Sequence, residues 1–383
     1  MNFNLIKNRE VMMNVIFCGG GTSGHVTPAI AIAEQMLKSS KDIKIAFIGR
    51  LGGGENALVK NAGFKLYSIE IEGLKRSLSL TNIKRLCLAF SAKKKAKSII
   101  SDFKADVVVG MGGYVSWPVL EAARSIKIPT VIHESNSVPG LVSKLFAKKA
   151  DLVLLGCPTC EGDLKSLKNA KLSGNPVRGE FGKIKKSEAR RRLRISDNEF
   201  MIFSVGGSGG AETVNKVIME VINSFSIKKG CVRHIHSSGK RYFEKLSENY
   251  TRLCSSGERG CRVYPFISDM ATYITAADLV ISRCGAMTLS EIALCGTPPI
   301  LIPSPNVTGN HQVKNAEHFS ENRAAVVVEE KELNCERLMF EIEKLMKNDA
   351  LRTEMSENLK KLSSPRSAEV ITAEILRIAE QKL

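Results

Sequence analysis

The sequence predicts an α/β protein made of two Rossmann-like, doubly wound halves that face each other across a cleft. Three observations carry that prediction. At 383 residues the chain has room for two domains of ordinary size, each with its own core. Short apolar runs alternate with segments of helical periodicity, the pattern of parallel sheets covered by helices. One unit also occurs twice: an apolar strand, a glycine-rich turn and an apolar-periodic helix, first at Asn14–Leu37 and again at Phe200–Phe225.

Taken in order, Asn14 to Cys18 reads as a buried strand and residues 29–37 as a helix, with Gly19-Gly20-Gly21-Thr22-Ser23-Gly24-His25-Val26-Thr27-Pro28 between them. Glycines let the backbone turn sharply and approach a ligand closely, and a helix start supplies unpaired N–H groups. The loop has phosphate-binding character without the lysine of a P-loop, and it matches no clean dinucleotide fingerprint. Residues 43–48 and 65–71 are predicted strands around a helix at 56–62. A strand at 106–110 runs into Met111-Gly112-Gly113-Tyr114-Val115-Ser116, and one at 130–133 into Glu134-Ser135-Asn136-Ser137-Val138-Pro139-Gly140. A strand at 151–155 closes the half. Doubly wound sheets deliver their C-terminal strand ends to one crevice, so the loops at Gly19, Gly112 and His133 should converge.

Turn-rich Ser173-Gly174-Asn175-Pro176-Val177-Arg178 and a basic helix at 185–194 mark the boundary. The expected domains are 1–174 and 175–365, with a closing helix within 366–383 packing back on the first. The second half restarts with a strand at 200–205, the loop Gly206-Gly207-Ser208-Gly209-Gly210 and a helix at 211–225, followed by strands at 231–236 and 261–264. The most informative stretch is Asp278–Gln312. It reads as a strand at 279–282, a turn at Cys284-Gly285, a helix at 287–294 and a strand at 299–302, leading to His311-Gln312. Ala286, Met287 and Thr288 would present N–H groups, and the positive end of the helix dipole, to a diphosphate. Glu291, one turn in, is placed to accept hydrogen bonds from a ribose diol. An ordinary buried helix with polar residues at its start is the alternative.

Lysine and arginine number 56 against 39 acidic residues, a formal charge of +17 that calls for an anionic partner. From Gly73 to Ser101 there is no acidic residue. Lys75, Arg76, Lys84, Arg85, Lys93, Lys94, Lys95 and Lys97 alternate there with Leu78, Leu80, Ile83, Leu86, Leu88, Phe90, Ile99 and Ile100. Basic residues interleaved with aliphatics fit an anionic lipid surface better than nucleic acid, for which stacking aromatics and a known motif are both missing. A solvated, partly buried helix is the plainer alternative. No apolar run is long enough to span a bilayer and the N-terminus lacks a signal peptide, so a cytosolic protein is expected, with residues 1–12 as a start-site extension or disordered tail.

The ten cysteines sit mostly in apolar contexts, as at Cys18, Cys87, Cys284 and Cys295. Cys157-Pro158-Thr159-Cys160 has no second pair at zinc-ribbon distance, because Cys254 and Cys261 are too far apart, and no metal site is expected. No Asp-x-Asp occurs in the chain, which argues against metal-clamp sugar transfer and against kinase machinery. Helix dipoles and arginine would then neutralise a leaving diphosphate, with no cofactor.

Six motifs in sequence order closely resemble the MurG family, and the resemblance covers nearly the whole chain from Asn14 onward. They are Gly-Gly-Gly-Thr-Ser-Gly-His-Val-Thr-Pro, Gly-Met-Gly-Gly-Tyr-Val-Ser, His-Glu-Ser-Asn, Gly-Asn-Pro-Val-Arg, Val-Gly-Gly-Ser-Gly-Gly-Ala and Arg-Cys-Gly-Ala-Met-Thr-Leu-Ser-Glu. The resemblance implies a GT-B fold and an inverting transferase that adds N-acetylglucosamine from the UDP-sugar to undecaprenyl-diphospho-muramoyl-pentapeptide, converting lipid I to lipid II in peptidoglycan synthesis. Cell wall biogenesis, cell shape and cell division are the processes it implies. It also implies a peripheral place on the cytoplasmic face of the membrane, an anionic surface for the Lys75–Lys97 segment, no nucleic acid, and wall-synthesis proteins as partners.

By the same resemblance Thr22, Ser23 and Gly24 face the donor sugar and the acceptor diphosphate, and Gly20, Gly21, Gly113 and Tyr114 form the acceptor diphosphate loops. Asn136 would bond the N-acetylglucosamine, and Arg178 and Ser208 would hold UDP. Ile267 would bond uracil through its backbone. Ala286, Met287, Thr288, Leu289, Ser290 and Glu291 would cover diphosphate and ribose, and Gln312 the sugar hydroxyls. His25 is the candidate base, with Glu134 second; a histidine after a glycine loop can instead orient that loop. Trp117 and the Ser208-Gly209-Gly210 sequence depart from the usual family pattern. The rival readings are another GT-B transferase acting on a lipid such as diacylglycerol, a UDP-N-acetylglucosamine 2-epimerase, and a membrane-bound scaffold that keeps a sugar-nucleotide site.

Overall fold

Every strand pairing among the described residues is parallel, which requires crossover connections and leaves both faces of each sheet to be covered. The structure, a computed structural model, describes residues 12–54, 56–73, 81–160, 164–207, 209–228, 232–246 and 260–381. By internal contacts the chain divides into two units, Met1–Arg178 with Arg366–Leu383, and Gly179–Pro365. Each is a Rossmann-like unit in its own right.

The first unit holds β1 (Met13–Cys18), β2 (Ile43–Arg50), β3 (Lys65–Ile69), β4 (Val107–Gly110), β5 (Thr130–Glu134), β6 (Leu152–Leu155) and β7 (Ala170–Leu172). They lie in the order β3-β2-β1-β4-β5-β6-β7. The two-residue period of a strand divides β1 between two cores. Ile16 and Cys18 pack with the helices Thr81–Phe103 and Ser116–Ser125, and Val15 and Phe17 with Ser23–Ser39 and Ser367–Glu380. Each fully buried aliphatic or aromatic side chain here contributes about 1.5–3 kcal/mol. Ile371 and Ile375, one turn apart, seat the C-terminal helix; a Lys171–Glu374 ion pair and a Ser367 hydroxyl donating to Asn175 O (2.5 Å) fasten it.

The second unit repeats the winding. Its strands are β8 (Phe200–Val205), β9 (Val232–Ser237), β10 (Cys261–Tyr264), β11 (Leu279–Ser282), β12 (Pro299–Leu301) and β13 (Val326–Val327), in the order β10-β9-β8-β11-β12-β13. The helices Glu212–Lys228, Cys335–Met346 and Asp349–Leu362 cover one face. Near the start of this unit Arg190, 5 % exposed, donates to Asp278, Ala276 O, Ser196 O and Glu199 O. With so many acceptors the charge is satisfied rather than stranded. In both sheets the strand order reverses at one place, between β1 and β4 and between β8 and β11. Doubly wound folds open for ligands at such switch points.

The helix after β1 begins at Ser23, not at residue 29, and carries Pro28 as its sixth residue. Proline is favoured in a first turn because its missing N–H is not needed there. Here the helix runs through it, and the Gly24 carbonyl receives no bond from residue 28. Glu134 ends β5 instead of opening the loop, and β3 stops at Ile69. The first sheet does not close at β6, because β7 adds an edge strand whose exposed Lys171 and Leu172 show no buried apolar run. β13 likewise has only two residues.

Candidate active site

At the switch point of the first sheet Cys18 of β1 pairs with Gly110 of β4, so the two glycine turns leave the sheet side by side. They are locked together by bare backbone. A Cβ on Gly113, whose φ is +75°, would stand 2.2 Å from Gly20 O, so only glycine fits. The buried Ser116 hydroxyl is shared between Gly112 O at 2.8 Å and Cys18 O at 3.0 Å. Tyr114 lies along Gly21, its ring 3.1 Å from where a Cβ would be. Trp117, on the following helix, packs partly buried against the core.

His25 is held at this junction. Its Nδ1 is 3.1 Å from Gly20 O and 3.2 Å from Thr22 Oγ1. A carbonyl oxygen only accepts, so Nδ1 carries the proton and the lone pair of the neutral ring is on Nε2. That edge runs along Gly112, where a Cβ would come within 3.1 Å of Nε2. One ring thus braces the loop through Nδ1, with its other nitrogen along Gly112. The two roles read from the sequence are compatible. Thr22 occupies the N-cap position of the helix without a side-chain cap bond, its hydroxyl being turned to His25. The Gly24 backbone lies in the first turn; the side chain of Ser23 and all of Ser208 lie outside the described residues.

Glu134 is placed differently. The buried carboxylate accepts from Asn136 N (3.0 Å) and Asn136 Nδ2 (3.2 Å) on Oε1, and from Gly140 N (2.9 Å) and Ser143 Oγ (2.6 Å) on Oε2. All four donors belong to the loop that follows β5 and to the helix Leu141–Phe146 after it. Lone pairs engaged in this way are not aimed at a substrate hydroxyl, so the geometry makes Glu134 a positioning residue for Asn136 and corrects its candidacy as base. His133 is also internal. Burial pushes its pKa below the ordinary histidine value, and its Nε2 donates to Gly174 O at 3.2 Å. With Asn175 Nδ2 donating to Ser135 O (3.1 Å), this ties the β5 loop to the segment ending in the half-exposed Arg178, the last residue of the first unit.

In the second unit Val205 pairs with Ser282, which sets the turn after β8 beside the turn after β11. The helix Ala286–Cys295 starts at Gly285 with no side-chain cap, so its first amides are not consumed by a cap. Of the six residues predicted here, three turn their side chains elsewhere. Met287 (9 % exposed) and Leu289 (2 %) are buried, and Ser290 Oγ donates back to Ala286 O at 2.9 Å. These offer backbone only, whereas Ala286, Thr288 and Glu291 remain partly exposed.

Two side chains pin this turn. Arg283 is ion-paired with Glu330 and donates to Ile302 O and Pro303 O, each at 3.2 Å. Gln312 Oε1 accepts from Cys284 N (3.2 Å) and Ser304 N (3.0 Å), which joins the ends of β11 and β12. Its carbonyl is therefore spent inside the protein, and its NH₂ is the group that can meet a sugar. Burial pushes the Cys284 thiol well above the ordinary range, which removes it as a nucleophile. Ile267 is 6 % exposed and has backbone to offer, and Asp269 caps the next helix through Thr272 N at 3.2 Å.

The basic segment divides by face. Along the helix Thr81–Phe103, Ile83, Leu86 and Phe90 are exposed (59, 45 and 64 %) and are continued at helical spacing by exposed Lys94 and Lys97. Ala89, Ala92, Ala96, Ile99 and Ile100 are buried on the opposite side. Ile99 and Ile100, counted with the lipid-facing set, thus belong to the core, where a helix needs one stripe to pack. Arg85 pairs with Glu72 and Lys93 with Glu121. Lys75, Arg76, Leu78 and Leu80 lie outside the described residues. A second exposed apolar pair, Leu141 and Leu145 beside Lys144 and Lys148, is too short a pattern to read from sequence. Cys160 is buried in the core and the Cys157 thiol meets the Ser137 and Thr159 hydroxyls. Among the described residues no helix is long and apolar enough to cross a membrane, and no group of three or more His, Cys, Asp or Glu could hold a metal ion.

Comparisons with known proteins agree with this architecture. The glycosyltransferase family 28 N-terminal domain matches residues 15–155, and the glycosyltransferase family 28 C-terminal domain matches residues 201–371. The chain is 39 % identical over 351 residues to the UDP-N-acetylglucosamine–N-acetylmuramyl-(pentapeptide) pyrophosphoryl-undecaprenol N-acetylglucosamine transferase of Caldanaerobacter subterraneus subsp. tengcongensis, covering 92 % of this chain and 96 % of that one. It is similar to the crystal structure of Acinetobacter baumannii MurG, with a TM-score of 0.74, 27 % identity and coverage of 95 % and 99 % of the two chains. A putative UDP-N-acetylglucosamine 2-epimerase from Listeria monocytogenes has a TM-score of 0.69 at 12 % identity, covers 97 % of this chain and 98 % of its own, and shares the fold alone. The paired Rossmann-like units are those of the GT-B glycosyltransferases, and the chain belongs to the MurG family.

Proposed function

We propose that the protein transfers N-acetylglucosamine from UDP-N-acetylglucosamine to the 4-hydroxyl of the muramoyl sugar of undecaprenyl-diphospho-muramoyl-pentapeptide, making lipid II from lipid I for peptidoglycan synthesis. One observation supports this beyond family membership. Each sheet opens at its switch point onto a different chemistry, a histidine braced in paired glycine turns in one unit and a helix start without a side-chain cap in the other. The first suits a hydroxyl that must lose a proton. The second suits a departing diphosphate.

In this reading His25 Nε2 takes the proton of the acceptor hydroxyl as its oxygen attacks the anomeric carbon. UDP leaves from the opposite face with the electrons of the broken C–O bond, and configuration inverts. Arg178 and the amides of Ala286–Thr288 stabilise the charge gathering on UDP. Glu291 receives the ribose hydroxyls, and Ile267 offers backbone to uracil. The Gln312 NH₂ reaches the sugar, and Asn136, fixed by Glu134, the acetamido sugar. Thr22, Ser23 and Gly24 meet the donor sugar and the acceptor diphosphate, Gly20, Gly21, Gly113 and Tyr114 line the acceptor diphosphate, and Ser208 joins the UDP contacts. The protein lies peripherally on the cytoplasmic face of the membrane, its Ile83–Phe90 stripe and following lysines against anionic lipid.

The test uses purified protein, radiolabelled UDP-N-acetylglucosamine and either a short-chain muramoyl-diphosphate lipid or diacylglycerol, with and without chelator. Label should move to the muramoyl lipid alone, at a rate unchanged by chelator, with UDP released only when that acceptor is present. Transfer to diacylglycerol instead would replace the reading by the lipid-transferase one. No acceptor-dependent UDP release at all would leave a binding scaffold.

A further inference from the structure

Beneath the glycine turn that follows β8 runs a line of buried polar side chains which the chemistry above does not use. Ser204 of β8, His234 and His236 of β9 and Asn215 of the helix Glu212–Lys228 are each at most 2 % exposed. Ser204 Oγ stands 2.8 Å from both His234 Nε2 and His236 Nδ1. His236 Nε2 is 3.0 Å from Asn215 Oδ1, and Asn215 Nδ2 donates to Ser238 O at 2.8 Å. The far end fixes every direction. An amide NH₂ only donates, so Asn215 Oδ1 accepts from His236 Nε2–H, and His236 Nδ1 then accepts the Ser204 proton. Ser204 in turn accepts from His234 Nε2–H. The remaining lone pair, on His234 Nδ1, is the atom without a hydrogen-bond partner, as this assignment requires. Burial keeps both rings neutral, lowering His236 to about 4 and His234 to about 3.

Filling a core needs no such line, since apolar side chains would do it without buried polar groups. What the line delivers is at its end. A Cβ on Gly210 would lie 2.2 Å from Ser238 O, and one on Gly239 2.6 Å from Gly210 N, so the turn rests directly on the Ser238–Gly239 backbone. Its glycines, Gly206, Gly207, Gly209 and Gly210, have no side chains with which to hold their own position.

We propose that Asn215, with His236 and Ser204 behind it, is a positioning residue that sets the glycine turn for the diphosphate of the UDP-sugar, acting through Ser238 and never touching the ligand. This rests on the reading that the second unit takes the UDP-sugar. The chain of donors transmits a fixed orientation from the middle of the sheet to a loop of bare amides.

The experiment uses full-length Asn215→Leu and Ser204→Ala, calorimetric titration with UDP, steady-state kinetics for both substrates, and urea unfolding. Asn215→Leu leaves the Ser238 carbonyl without its donor and should raise the UDP Kd and the donor KM roughly tenfold. Ser204→Ala, which breaks the line one link further back, should raise both about threefold. Acceptor KM and kcat should stay within about twofold, because the first unit is untouched. Unchanged donor KM in a folded variant would overturn the proposal, as would a parallel fall in kcat and in affinity for both substrates. Loss of folding in both variants would assign the line to stability and overturn it equally. A wild-type protein with no affinity for UDP would instead overturn the functional reading beneath it.

Discussion

The two strand–turn–helix units that open the halves are built to the same measure and finished in opposite ways. In each a six-residue strand, β1 or β8, leads through glycines into a helix of 17 residues. The first turn is steadied from beside it, by Gly112 and Gly113, and carries an imidazole held through Nδ1. The second is steadied from below, by neutral buried histidines, and presents backbone. In the proposed reading, one supersecondary unit serves proton transfer in the first half and anion binding in the second, depending on where its supporting polar groups sit.

The contrast can be broken most decisively at His25. His25→Ala should lower kcat by about 10²–10⁴-fold at saturating substrates. Near-normal turnover would make the first turn a backbone cradle like the second.

Acid should separate the units next. His234 and His236 have folded values near 3 and 4, below the ordinary value of 6.5. Between those values and 6.5 the unfolded chain binds more protons than the folded one, so stability rises with pH. It is complete above about 6.5 and is lost as pH falls towards 4, at about 1.4 kcal/mol per histidine per pH unit. Urea unfolding of the wild type and of His236→Gln between pH 7 and pH 5 checks this; the variant should show the shallower loss, and equal slopes would contradict the neutral-histidine assignment.

A third comparison pairs glycines. Gly113→Ala forces a Cβ onto the Gly20 carbonyl at positive φ and should cost about 2–3 kcal/mol in urea unfolding, while Gly209→Ala, with nothing within 4 Å, should cost under about 0.5 kcal/mol. The smallest effect is expected for Arg178→Ala, a rise of roughly tenfold in donor KM with a modest fall in rate, from loss of one charge-assisted contact. Unchanged kinetics would take Arg178 out of the site.

Most of the architecture was legible because it is written in buried runs. β1, β4, β8 and β11 are mainly apolar stretches, interrupted only by Asn14, Ser204 and Ser282, and each has glycine at its end or within three residues beyond it. The edge strands β7 and β13 escaped because an edge strand of two or three residues needs no apolar run. Pro28 hid the true helix start, since a proline in a second turn violates the usual preference. For the site, residue types near each turn could be read, but not which lone pairs were already engaged. Glu134 looked like a base until its four donors were visible. The Ser204–His236 line had a faint signature, two histidines spaced two apart in a strand and so on one face. Nothing in the sequence said that Asn215 would meet them.

The division of labour within Gln312 has an implication for altering sugar preference. Its oxygen fastens Cys284 to Ser304, so any ligand meeting this side chain meets a donor. Glutamate at this position would retain an acceptor for both backbone amides while reversing the polarity shown to the hexose. In the proposed reading of Gln312 as a sugar contact, anchoring and selectivity are thus separable by exchanging a single nitrogen for oxygen.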